Sequence, residues 1–274
     1  MPSWLSEFFF GGPTYMIAKA IWEGTFALLG VLLGTTPMAF STAAWNLVEN
    51  VLFPWSQGIG IALLNVMFLI GYIRDNTNLK ENMTVESFVL AIIRIIVSNG
   101  LIIGGMQLIK TFFKLASLLT QEIYTASTPT LQMDNMDAGS GLFFALFGVI
   151  YVLVAIVCCF MILLAVYGRY LKLYILAATL PVAVATIAGG RGVQNTAFSF
   201  IKGFFGTAFE IVVIGIVLTI GSIMISSIDF FTISTGLLSY HDGMSAALQS
   251  MLTMILLAGA VKGAESFMKR YFGL

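Results

Sequence analysis

Two charges stand inside apolar stretches of this chain, and they have the strongest claim to a chemical role. Arg94 lies eight residues into an apolar helix from Glu86, and Glu210 lies eight residues into another from Lys202. At 1.5 Å per residue each would sit ~12 Å below the face of a bilayer. A charge at that depth is costly and ordinarily pairs or faces a cavity. Arg94 and Glu210 are therefore expected to pair, within one chain or between copies; the alternative is that each reaches the headgroups alone. A second polar set is Gln107, Lys110, Lys114, Ser117 and Gln121. Their spacing puts all five on one helical face. That face is either the solvated side of a helix protruding from the bilayer, matched by Glu122, Asp134 and Asp137, or the lining of a polar passage that can meet a polyanion.

Little else suggests catalysis. His241, the only histidine, stands beside Asp242 in a polar loop and reads as a surface residue. Cys158 and Cys159 are adjacent within an apolar run, where they act as small hydrophobes; a disulfide framework or metal site needs other spacing. The sequence holds no nucleotide-binding loop, nucleophile motif, metal cluster or chain of intramembrane carboxylates. Its halves show no inverted repeat, which weakens a secondary-transporter reading. The chain is expected to be no enzyme and to need no cofactor, although a bound phospholipid is compatible with it.

The elements that position these residues follow from composition. Hydrophobic residues make up 59% of the 274 and charged residues only 9%, against roughly 25% charged in a soluble domain. This is the composition of an all-α polytopic membrane protein. No cleavable signal peptide is expected, since the N-terminus has neither a basic region nor a small-residue cleavage site. Asn82-Met83-Thr84 matches a glycosylation acceptor, a pattern common by chance. Residues 1–54 are expected to form an interfacial segment of amphipathic helices, with Lys19 and Glu23 on one face of 14–34 and Pro37 and Pro54 interrupting residues 35–54. Residues 55–274 form the transmembrane domain.

Basic residues near span ends mark the cytoplasmic side. Five crossings satisfy that rule, at 55–73, 88–110, 143–167, 204–226 and 244–262, with the N-terminus outside and the C-terminus in the cytoplasm. The helix from Thr84 is expected to run to about Gln121, longer than the bilayer is thick, with a bend at Gly104–Gly105. Between Arg169 and Glu210 the apolar run is only about 16 residues long, interrupted by Pro181 and closed by Gly189–Gly190. That falls short of the ~20 residues a span requires. Its flanks carry Arg169 and Lys172 on one side and Arg191 and Lys202 on the other, so it reads as a short re-entrant or broken hairpin facing the cytoplasm. Such backbone needs protein cover, which points to an oligomer. Gly100-x-x-x-Gly104 and Gly259-x-x-x-Gly263 offer close helix packing.

RYLKLYILAATLP from Arg169 to Pro181, the GGRG break, and SFIKGFFGTAFEIVVIGIVL from Ser199 to Leu218 carry a family resemblance. The region from about residue 84 to 270 resembles the TrbL family of conjugal transfer proteins, polytopic inner-membrane subunits of type IV secretion systems, in the form found in Gram-positive conjugative elements. The resemblance implies a plasma-membrane channel or platform of about five or six copies. Its partners would be a cytoplasmic transfer ATPase and other mating-pair subunits, with membrane lipids around it. The cargo would be single-stranded DNA with its relaxase, which places DNA contact within reach. Arg169, Lys172, Pro181 and Lys202 are the matched positions, to which a structural or docking role is assigned. Some members carry a large extracytoplasmic domain that this sequence lacks. The competing readings are a small-molecule transporter and a structural assembly factor without a conducting path.

Overall fold

A computed structural model of the chain describes residues 12–77, 85–124, 131, 138–190, 192–226, 242–271 and 273. Helices carry nearly all of these, and no strand occurs among them. Helix α1 is Gly12–Gly34, followed by the short α2 (Pro37–Phe40) and α3 (Thr42–Leu47). A π-helical turn, Val48–Leu52, leads into α4 (Phe53–Thr77). Then come α5 (Val85–Tyr124), α6 (Ala138–Ala185), α7 (Gln194–Ser226) and α8 (Asp242–Tyr271). Among the described residues six helices are long and apolar enough to cross a membrane, so the chain is a multi-pass membrane protein. The expected Thr84 cap, Asp134, Asp137, Arg191 and His241 lie outside the described residues.

Two expectations are corrected. Residues 14–34 do not form a surface-lying helix. Tyr15, Ala18, Trp22, Phe26, Leu29 and Leu33 recur at helical spacing and are almost wholly buried, so α1 packs as an integral helix. The stretch from Arg169 to Glu210 is likewise not a separate short hairpin. Its first half is the C-terminal end of α6, an uninterrupted helix of 48 residues, or ~72 Å at 1.5 Å per residue. The single Gly168 at the expected break costs only about 1 kcal/mol in a helix. Around it Val166, Tyr170, Leu173, Tyr174 and Ala177 bury one continuous face. Pro181 is also absorbed within α6. The chain reverses only after a 3₁₀ turn at Thr186–Gly189, where Gly190 (φ 72) and Gly192 (φ 91) take conformations that favour glycine. The turn was legible; the break before Arg169 was not there.

The chain forms two compact units that cut across a boundary at residue 54. One comprises residues up to Gly34, Leu119–Tyr167 and Ile211–Ser266. Here α1 runs alongside α6: the Tyr15 ring meets Phe144 and Tyr151 at centroid distances of 5.3 and 6.4 Å. Tyr151 shares a 2.9 Å hydrogen bond with Ser250 on α8, and Thr219 on α7 donates to the Ile123 carbonyl at 3.3 Å.

The other unit comprises Thr35–Leu118, Gly168–Glu210 and the residues from Phe267. Its core joins Trp45, Val48 and Phe53 to Ile109 and Phe113 of α5, Leu173, Tyr174, Ala177, Leu180 and Val184 of α6, and Phe204 and Ala208 of α7. α5 lies antiparallel to α6, with Ser98 donating to the Val184 carbonyl at 2.9 Å while Ile109 and Phe113 sit with Leu173 and Tyr174. The helix is unbroken at Gly104–Gly105, where a bend was expected; Gly105 makes room for the Leu180 side chain. α4 lies closest of all to the end of α6. A Cβ on Gly60 would stand 2.8 Å from the Pro181 carbonyl oxygen, and one on Gly71 2.8 Å from that of Ala188. Eleven residues separate these two glycines, three turns on one face.

Gly100, Gly104, Gly259 and Gly263 behave differently from the close approach expected of them: a Cβ on any of the four would meet nothing within 4 Å. Close approach of one helix to another's backbone carbonyls is made at Gly60 and Gly71, and Gly105, Gly148 and Gly221 make room for neighbouring side chains. Gly60→Val or Gly71→Val should lower the thermal unfolding temperature in detergent sharply, by about 1–3 kcal/mol of overpacking or more. Gly100→Ala and Gly104→Ala should leave it unchanged or slightly raised. Equal tolerance of both sets would contradict this packing.

Candidate functional site

The polar residues of the second unit gather at two places. At the first, Arg169 is only 2% exposed and Glu210 only 5%, both deep within a membrane protein. The Arg169 guanidinium feels the Glu210 carboxylate electrostatically and lies 4.8 Å from the centroid of the Tyr170 ring. Tyr170 in turn stacks on Phe40, with centroids 4.0 Å apart and planes 2° from parallel. Its hydroxyl donates to the Thr35 carbonyl at 3.0 Å, and Tyr174, one turn on, donates to the Pro37 carbonyl at 2.7 Å. These carbonyls lie in the break between α1 and α2, where helical partners are missing. Two tyrosines of α6 thus satisfy the break, and the same face of α6 carries the buried arginine.

Guanidinium Nε and Nη1 of Arg169 have no hydrogen-bond acceptor among the described residues. A buried donor without an acceptor costs ~1–3 kcal/mol. The site therefore depends on the Glu210 charge and the Tyr170 ring, whose face attracts a cation.

The second place is built by the π-helical turn. Pro54 has no N–H to give to the Asn50 carbonyl, which favours the wider i→i+5 register; the Phe53 N–H accordingly bonds the Val48 carbonyl. On that turn Glu49 accepts a 2.6 Å hydrogen bond from Trp45 Nε1 and forms an ion pair with Lys110 of α5. The side chains of Lys110 and Glu49 are 27% and 30% exposed.

The sequence-derived residues are redistributed by this geometry. Arg94 and Glu210 are not brought together within the chain. Ser98, one turn after Arg94, meets Val184, whereas the Glu210 charge is felt at Arg169, fifteen residues earlier on α6. At 1.5 Å per residue that separates the two groups by about 22 Å. Glu210 is buried, and Arg169 of α6, a residue taken for a membrane-surface charge, is a buried cation within reach of its field. The five-residue face of α5 does not stay uniform either. Gln107 and Lys114 are exposed, Lys110 is taken by Glu49, and Ser117 is buried with its hydroxyl bonded to the Lys114 carbonyl at 3.3 Å. Gln121, in the other unit, donates to the Gly34 carbonyl at 2.8 Å. Lys172 and Lys202 are exposed, and Pro181 is buried.

Glu49 was missed altogether, though it is the single charged residue between Glu23 and Arg74. Its position four residues after Trp45 was the available signal. Neither place has a nucleophile beside a base, and no cluster of metal-ligating side chains occurs among the described residues. What the arrangement can do chemically is hold helices in register with buried charge.

Removing one member of the buried pair should therefore be costly. Arg169→Met or Glu210→Gln alone is expected to destabilise the detergent-solubilised protein by about 3–5 kcal/mol, because each leaves an uncompensated charge or an unpaired partner. The double variant should recover most of that loss in thermal unfolding; strictly additive losses would show that the two groups do not interact.

Comparison with family models, with curated proteins and with solved structures found no match.

Proposed function

We propose that the chain is a membrane channel or platform subunit of a type IV secretion machine. It would support conjugative passage of single-stranded DNA with its relaxase across the plasma membrane, as one of several copies beside a cytoplasmic transfer ATPase and other mating-pair subunits. The observation that carries this reading is the exposed polar part of α5. Gln107 and Lys114 point outward from a helix apolar enough to span a membrane, flanking the half-buried Lys110–Glu49 pair. Facing hydrocarbon, such groups are costly; facing a passage or a neighbouring copy, they are at ease. The resemblance around Arg169–Leu218 supports the same reading. The excess of basic residues around Arg74, Lys202 and Lys269 supports a cytoplasmic C-terminus.

A second reading, a structural assembly factor without a conducting path, is favoured by one observation. Arg169 and Glu210 are both buried inside the fold, each within the other's field, and not presented to a lumen. The exposed residues of α5 separate the two. Lys114→Ala combined with Gln107→Leu should reduce conjugative transfer at least about tenfold, the scale of one lost charged contact, while leaving membrane level and self-association intact. Wild-type transfer by the double variant would remove the passage and leave the brace.

A further inference from the structure

Two helices of the first unit present faces that are exposed among the described residues. On α1, Met16, Ala20, Glu23, Ala27 and Val31 are all exposed and follow one helical line, with Gly24 beside Glu23. A Cβ on Gly24 would meet nothing within 4 Å. Glu23 stands at the centre of this 23-residue apolar helix, the depth at which a carboxylate is least tolerable to lipid. On α8, Ile255, Gly259, Lys262, Gly263 and Ser266 form a second exposed line. Gly259 and Gly263 also have open space where a Cβ would go. Each face therefore combines small residues that admit a close neighbour (Ala20, Gly24 and Ala27 on α1; Gly259, Gly263 and Ser266 on α8) with one charge, and the two charges are opposite. No ion pair or side-chain hydrogen bond engages Glu23 or Lys262 among the described residues; Lys19, the basic neighbour of Glu23 on α1, lies 6.0 Å from the centroid of the Tyr15 ring.

The two faces are also well placed to meet. Both helices pack on α6, through Tyr151, whose ring faces Tyr15 and whose hydroxyl bonds Ser250. The Ile21 carbonyl, two residues before Glu23, lies 4.0 Å from the Cys159 sulfur.

We propose that α1 of one copy docks against α8 of the next, with Glu23 paired to Lys262 across the contact. The two faces differ, so the contact is head-to-tail, the kind that closes into a ring. The inference rests on the self-association contained in the proposed function and adds to it the surface through which copies meet.

The test uses the full-length protein in lipid nanodiscs or mild detergent, with mass measured by light scattering. Glu23→Lys and Lys262→Glu should each weaken self-association about tenfold or more, and the double reversal should restore it. A Glu23→Cys copy co-expressed with a Lys262→Cys copy should crosslink between chains under mild oxidation, which keeps the proposal testable if a reversal fails to insert. Oligomers indifferent to both reversals, or a double reversal that restores nothing, or crosslinks confined to one chain in a Glu23→Cys/Lys262→Cys double variant, would overturn this contact and leave the proposed function standing. A wild-type protein that stays monomeric would overturn both. Loss of DNA transfer with the contact intact would count against the function alone.

Discussion

An arginine that is almost completely enclosed must be neutralised from within, and this requirement shapes the second unit. Arg169 has the Glu210 carboxylate and the Tyr170 ring and little else. Neither charge can be left alone in a membrane interior without a penalty of several kcal/mol. α6 and α7 are therefore tied at this level. The same stretch of α6 uses Tyr170 and Tyr174 to hold the Thr35–Pro37 break, so the connection after α1 depends on the orientation that the arginine fixes. Bracing of this kind suits the proposed role as a platform subunit.

Close backbone contact supplies the complement to buried charge. Hydrocarbon offers apolar side chains no gain from meeting each other, so helices in a membrane associate through tight packing. Gly60 and Gly71 bring α4 against the carbonyls of Pro181 and Ala188. There the end of α6 passes into the 3₁₀ turn and the chain reverses at Gly190. The two prolines act differently. Pro54 favours the wide turn that carries Glu49 to Lys110, and Pro181 sits within α6 without ending it.

Helix class, the reversal at Gly189–Gly190 and the overlong α5 were legible from apolar run lengths and glycine placement. The continuity of α6 was not. Arg169 and Lys172 looked like a boundary because charge in a sequence normally marks the membrane surface, and only tertiary contact reveals that one of the two is neutralised inside. The choice of partner for Glu210 failed for the same reason: depth along a helix says that a charge needs a partner but not which helix supplies it. The buried stripe of α1 was present in its sequence at helical spacing, but Lys19 and Glu23 drew the reading toward the interface. Glu49 was hidden because its role depends on a π-helical turn, a local change of register that periodicity does not show.

The bracing of α6 against α7 depends on which cation answers the buried Glu210 charge. Cryo-electron microscopy density of the protein in lipid should show unbroken helix through Gly168, with the Arg169 guanidinium against the Glu210 carboxylate and Arg94 at the far end of the unit. Density that places Arg169 among the headgroups, with Glu210 in contact with Arg94, would contradict it.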